Sequence, residues 1–424
     1  MGHPLFDLEF RVSQGQSDVE FADWRRNFYA LWVAEVVAII GFHAVQPFLP
    51  YYIQEFDVAD LGEALIWAGR MGTAAGLAMA ISAPIWGSLA DRYGRKPMVV
   101  RSMIGGGISV ILMAYVTTVE QLLVTRVLQG ALAGTVTACL TLVSTSTPRQ
   151  HLGFALGLMQ GAFMLGASVG PLLGGPVIEA FGYKACFMWA GGAVLVAGLI
   201  VQMLVQEDFS RARTVESSAK YRMPGRDMWR LLGVRPFLVL VLTVTAMSFA
   251  FGFVMPVVPL FLQELAGRKD VVSLAGAVFA AGGLVGAASA VVMGRYSDRI
   301  GPRRVLVSGL VLASVFYLAQ GYAQSVLMLG VLVVLTGLAT GATRPVANSL
   351  ITRIVVEEDR GKAFGVMTSA SALGWAMGPM AGGHIGAHYG FRAVFVVTSI
   401  LFLVVGAWAW VAMKGVDGPR GQQR

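Results

Sequence analysis

The sequence predicts an all-α membrane protein with twelve transmembrane helices in two pseudo-symmetric six-helix bundles. Three observations lead there. The 424 residues are 56% hydrophobic and only 13% charged, with a mean hydropathy of +0.68, whereas soluble globular chains carry about 25% charged residues. Apolar windows of about 20 residues, enough to cross a bilayer as a helix, recur along the chain. Finally, stretches of the first half return in the second at a near-constant distance.

The windows lie near 28–52, 63–88, 98–117, 121–145, 153–177, 183–205, 236–262, 271–293, 304–324, 327–352, 363–386 and 392–413. They divide the chain into an arm (1–27), a first bundle (28–205), a linker (206–235), a second bundle (236–413) and a tail (414–424). The arm, the tail and the loops after even-numbered windows hold 25 of the 32 Lys and Arg. Under the positive-inside rule both termini are therefore cytoplasmic, in a cell (inner) membrane crossed many times. The net charge of +8 is scattered through these short loops. That pattern points to anionic lipid headgroups as neighbours and away from nucleic acid. The first 27 residues carry no cleaved-signal pattern. Cys139 and Cys186 both fall inside apolar windows and read as small buried hydrophobes.

The repeat is legible in four places. Gln46–Phe56 (QPFLPYYIQEF) returns as Met255–Leu265 (MPVVPLFLQEL), and Gly87–Pro97 (GSLADRYGRKP) as Gly294–Arg304 (GRYSDRIGPRR). Gly166–Gly175 (GASVGPLLGG) returns as Gly374–Gly383 (GWAMGPMAGG), and Phe181–Phe187 as Tyr389–Phe395. The offsets are 209, 207, 208 and 208 residues. Two homologous halves of six spans run parallel, because six is even. A site between such halves describes an alternating-access transporter of a small molecule, expected to work as a monomer. A duplicated scaffold or non-transporting sensor is the alternative of another class, and it would be expected to carry an added signalling domain. No G-x-x-x-x-G-K-[ST] loop, Cys/His metal cluster or nucleophile elbow is found, so neither an enzyme, an ATP-driven pump nor a bound cofactor is expected.

Gly87, Asp91, Arg92, Gly94 and Arg95, with Leu89 and Lys96, match the pattern G-x-L-a-D-r-x-G-r-k. Gly294, Asp298, Arg299 and Gly301 form a weaker second copy. This resembles the loop signature of the major facilitator superfamily, where it is understood as a conformational latch. Gly87 permits close helix approach and Gly94 a tight turn, while Asp91 can pair with neighbouring arginines or cap a helix N-terminus. The string Gly166, Gly170, Pro171, Gly174, Gly175 resembles the fifth-helix motif of the drug:proton antiporter branch. Its glycines form a close-contact face and its proline bends the helix. Gly378 and Pro379 belong to the second copy. Leu122, Arg126, Gln129 and Gly130 match a fourth-helix motif of the family, with Leu132 at a position usually small. In proton-coupled relatives that arginine is linked to proton transfer, so the resemblance implies the same for Arg126. The resemblance spans the chain and implies the major facilitator fold, export and proton antiport.

Of the 24 acidic residues, only Glu35 lies within the apolar interior of a span; Asp91 and Asp298 belong to the latch. Holding a charge there costs roughly 2.5–3.5 kcal/mol, so an intramembrane carboxylate is a functional candidate. Removal from water favours a neutral carboxyl and a nearby cation favours a charged one, so proton and cation compete. That competition is antiport in outline. His43, about 12 Å further along the helix and roughly 80° around it, extends a proton path or is a neutral interface histidine. Arg70 either lines an outer vestibule or snorkels to headgroups.

Helices 1, 5, 7 and 11 line the cavity in the family. Phe42, Gln46, Met159, Gln160, Phe163, Phe249, Phe253 and Trp375 lie on them and are expected to line it here, with Arg344 on helix 10. Aromatic and sulfur side chains suit flexible lipophilic ligands. The expected function is proton-driven export of lipophilic small molecules or drugs, cations among them. A narrower exporter of a sugar, amino acid or siderophore is the alternative, and H⁺ against Na⁺ coupling is left open.

Overall fold

The structure is a computed structural model, and it describes residues 24–58, 60–207, 233–267, 271–356 and 359–414. Most of the expected arm, linker and tail lies outside the described residues. The helices are α1 (Trp24–Ile53), α2 (Leu61–Tyr93), α3 (Arg95–Tyr115), α4 (Val119–Ser146), α7 (Arg235–Ala266), α8 (Val272–Ile300), α9 (Pro302–Gly321), α10 (Val326–Ile354), α11 (Arg360–Tyr389) and α12 (Phe391–Ala412). The 53-residue run Leu152–Leu204 holds two more, α5 (152–181) and α6 (183–204), because Gly182 turns the chain at φ +81°. Ten described helices, that run counted as one, are long and apolar enough to span a membrane. The less apolar α11 has 30 residues, so every sequence window has its helix.

The repeat governs local structure. Gly94 and Gly301 turn α2 into α3 and α8 into α9 at φ +100° and +98°, and Gly182 and Gly390 do the same after α5 and α11 at +81° and +80°. Each is a left-handed backbone that a side chain would strain. Thr118 and Ser325 occupy equivalent positions, and their side chains accept the backbone N–H groups of Gln121 and Met328, capping α4 and α10.

Glycines on α5 and α11 set the packing inside each half. A Cβ at Gly166 would meet Ile39, at Gly170 His43, and at Gly174 the Ala44 carbonyl oxygen only 1.9 Å away, all on α1. On α11, Gly374, Gly378 and Gly382 lie as close to Thr245, Phe249 and Phe253 of α7. Gly174→Ala is therefore expected to destabilise the fold by about 1–3 kcal/mol through overpacking, read as a lower thermal midpoint in detergent.

One residue further along, the glycines turn to the other half. Gly175 abuts Ser273 of α8, and Gly383 abuts the Leu65 carbonyl of α2. Around them the end opposite the basic loops is sealed. Tyr51 donates its hydroxyl to the Pro259 carbonyl at 2.5 Å. Gln54 and Gln263 exchange amide hydrogen bonds at 2.9 and 3.0 Å. These two glutamines are equivalent positions of the repeat, so the pseudo-two-fold axis passes between them. Glu179 of α5 accepts from the Ser273 backbone N–H at 2.9 Å and from its hydroxyl, capping α8 across the interface.

Towards the basic-loop end the halves part. A Cβ at Gly87, Gly157, Gly161, Gly294, Gly361 or Gly365 would meet no described atom within 4 Å. The crevice between the bundles is thus open at the basic-loop end and shut at the other.

Candidate functional site

At the closed apex of the crevice lies a slot of about 40 Å³ between the halves, lined by Gln46, Met71, Arg126, Met255, Trp375 and Pro379 among others. It has room for only a few water molecules. Gln46 donates its amide to the Met255 sulfur at 3.8 Å; these are again equivalent positions, on the axis. Arg126 is 8% exposed and donates to Gln129 one turn on, while its Nε is buried without a hydrogen-bond partner. Among the described residues, Arg126 is the only formally charged one on the slot wall.

Glu35 sits elsewhere. It is fully buried, and neither carboxyl oxygen has a standard hydrogen-bond partner; the Cys139 thiol of α4 lies against it. Around it is the interior of the first bundle, built from Leu31, Ala34, Ala38, Met103, Cys139 and Met159. The sequence placed this carboxylate on a cavity-lining helix, but its side chain points away from the slot. His43 donates its Nδ1–H to the Ile39 carbonyl (3.1 Å), lies edge-on to Phe163 at 5.7 Å and packs on Gly170. It therefore joins α1 to the glycine-rich helix and does not border the slot.

The expected cavity residues divide into groups. Gln46 and Trp375 line the slot. Gln160 and Arg344 are exposed, and Arg344 occupies the position equivalent to the exposed Thr137. Phe163 and Phe249 are half-buried, against His43 and Phe253 respectively. Three expectations are corrected. Phe42 packs its ring on Gly106 of α3, Met159 is fully buried in the first bundle, and Phe253 is 2% exposed against Gly382. Each lies on a cavity helix but on the face that the helix turns to its own bundle, a distinction that apolar residue type does not carry. Arg70 is exposed and stacked on Trp67 at 5.1 Å.

In the latch region Asp91, Arg92 and Arg299 are exposed, and Asp298 lies in α8 with its side chain outside the described residues. The N-terminus of α3 is capped not by Asp91 but by Glu207, whose two oxygens accept the backbone N–H groups of Arg95 and Lys96 at 2.8 Å each. The sequence reading left Glu207 inside a polar linker. The signal available was an acid directly after α6, at the height of an uncapped helix start.

The profile of the Major Facilitator Superfamily matches residues 31–299 and 242–423, so between them the two matches cover both bundles. The chain belongs to the Major Facilitator Superfamily. Among curated relatives it is 32% identical to the multidrug resistance protein MdtG of Escherichia coli (strain K12 / DH10B) over 395 residues, 92% of this chain and 95% of that one. Among solved structures it is similar to a D-xylose-proton symporter (TM-score 0.75, 13% identity, 92% and 98% covered). It is also similar to a bacterial homologue of the human lysosomal transporter Spinster in an inward-facing, unoccupied conformation (TM-score 0.73, 17% identity, 92% and 97% covered). The superfamily chain described here is thus a multi-pass membrane transporter of small molecules.

Proposed function

We propose that this chain is a proton-coupled exporter of lipophilic small molecules that works by alternating access in the cell (inner) membrane. Both termini and the basic loops are cytoplasmic, so the crevice is open inward. The observation that carries the coupling is Glu35, a carboxyl buried inside a membrane bundle with no hydrogen-bonded or paired cation among the described residues. Such a group is held neutral by a proton or must gain access to water. Its helix α1 is the one on which the glycine-rich α5 packs closely, and His43 sits between the two. The likeness to a multidrug resistance protein supports a drug-like substrate range. Motion of α1 against α5 then changes the surroundings of Glu35 as the halves rock.

The slot refines the substrate. Its wall is mostly apolar, and among the described residues its one charge is that of Arg126. Substrates with an apolar body and an acceptor group suit it better than cations do. The narrower reading, export of an acceptor-bearing metabolite, draws support from the same arginine. Arg126→Gln is expected to cut transport about ten-fold or more, the factor for losing one charge-assisted hydrogen bond.

Proteoliposomes test the proposal. A lipophilic dye loaded inside should leave faster when the medium is made acidic, and a protonophore should abolish the acceleration. Acceleration by a Na⁺ gradient instead would replace the coupling ion. Export of metabolites but of no dye would select the narrower reading.

A further inference from the structure

Span α4 does not cross as one helix. Its first segment ends at Leu132, Ala133 is extended, and Gly134 is left-handed at φ +116° before a second segment starts at Thr135. A break within a membrane frees carbonyls that lipid cannot satisfy. Two neighbouring helices take them up. The indole N–H of Trp86 on α2 donates to Ala131 O at 2.7 Å, and the Arg101 guanidinium on α3 donates to Leu132 O at 3.1 Å and Ala133 O at 3.4 Å. The guanidinium carbon lies 3.6 Å from the centre of the Trp86 ring, so the two side chains also hold each other.

The second half has a milder interruption at the equivalent place, without the tryptophan–arginine pair. Met293 stands for Trp86 and Ser308 for Arg101; α10 is interrupted too, between Gly341 and Thr343, but Ala342 there keeps right-handed helical angles, and the Leu338 carbonyl, equivalent to that of Ala131, accepts from the Ser289 hydroxyl of α8 at 2.6 Å. The Ser308 hydroxyl bonds back to Val305 in its own helix. Glu35 and Cys139 correspond to Val244 and Val346, both buried. The left-handed break and its arginine clamp therefore occur in the half that hides a carboxyl, and only a milder interruption in the half that hides valines.

The second segment of α4, Thr135–Ser146, has two faces. Cys139, Leu142 and Val143 are buried, with Cys139 against Glu35, while Thr137, Ser144 and Thr145 are exposed. A hydrogen bond from Thr135 to Ser102 of α3 (3.0 Å) pins its start beside the break. We propose that Arg101, with Trp86, is a positioning residue that keeps α4 broken at 133–134. The second segment then moves as a separate cover, and lifting it is the route by which water and protons reach Glu35 from the basic-loop end. The route rests on reading Glu35 as the coupling carboxyl; the clamp and the cover do not.

The two cysteines of the chain are the reporters. Cys139 is on the buried face of the cover, and Cys186 is buried in the same half between the carbonyls of Ala44 and Gly174. In full-length protein in proteoliposomes, N-ethylmaleimide labelling of Cys139 is timed in a C186A background, and of Cys186 in a C139A background. R101K keeps the cation but cannot fork across two carbonyls. It should speed Cys139 labelling roughly five-fold or more, as expected for losing a charge-assisted bond, and leave Cys186 unchanged. W86F, lacking one donor, should move Cys139 in the same direction by less. An unchanged Cys139 rate, or equal acceleration at both cysteines, overturns the clamp. If R101K speeds Cys139 alone while E35Q keeps full gradient-driven export, the cover stands and its role as a proton route is overturned.

Discussion

Glu35→Gln should export substrate down its own gradient but lose all acceleration by a proton gradient, so that its rate equals that of the parent protein treated with protonophore. The substitution preserves size and removes only the ability to take and release a proton. Glu35→Leu should uncouple transport equally, and the two variants together separate coupling from structure. Both carboxyl oxygens are buried without a standard hydrogen-bond partner among apolar side chains. A leucine of similar volume should therefore raise the thermal midpoint, since an unsatisfied buried polar group costs about 1–3 kcal/mol. A carboxyl kept for structural reasons would give the opposite result, a less stable Leu variant. Gradient-driven export by Glu35→Gln at the parent rate would remove this residue from the coupling mechanism.

The second large effect is expected at Gly175 and Gly383, where the two halves touch at the sealed end. A Cβ at Gly175 would lie 2.7 Å from the Ser273 Cα, and at Gly383 2.4 Å from the Leu65 oxygen. Both obstacles are backbone and cannot rotate away. Gly175→Leu or Gly383→Leu should wedge that end apart at a cost of about 1–3 kcal/mol in the conformer seen here. A difference of that size shifts a two-state equilibrium roughly 5–150-fold. Spin labels on α2 and α11 should then report longer distances at the sealed end, and transport should fall because one of the two states is lost. Gly174→Leu, one residue away, presses on α1 of its own bundle. It should destabilise the protein without changing the distance between the halves. An unchanged distance in the Gly175 and Gly383 variants would show that these contacts do not set the conformational balance.

Much of the fold was legible because membrane insertion leaves few choices. Backbone groups in lipid must bond within their own segment, so apolar windows of sufficient length become helices. The 207–209-residue offset then predicted pairs of equivalent residues, and the paired Gln54 and Gln263 lie on the axis that relates the halves. One turn was legible too, since Gly94 has a backbone angle that favours glycine; Gly182, Gly301 and Gly390 do the same at turns that the sequence reading did not single out. The site was less so. Residue type identifies Glu35 as out of place, but not which way it faces, because a hydropathy window has no direction. Phe42, Met159 and Phe253 were assigned to the cavity for the same reason. Arg101 was counted among the basic residues that orient the chain, and its guanidinium turned out to complete a neighbouring helix.

By itself, then, the sequence determined the class, the number of spans, the two-fold repeat and the one carboxyl that lipid should not tolerate. These follow from composition and spacing, which act through the solvent and need no contacts. Only the tertiary structure decided which of two adjacent glycines packs within the bundle and which against the other bundle. It also placed the carboxyl inside one half, beneath a broken helix, and not in the slot between the halves. Those distinctions depend on what each face of a helix meets, and that is set by residues hundreds of positions away.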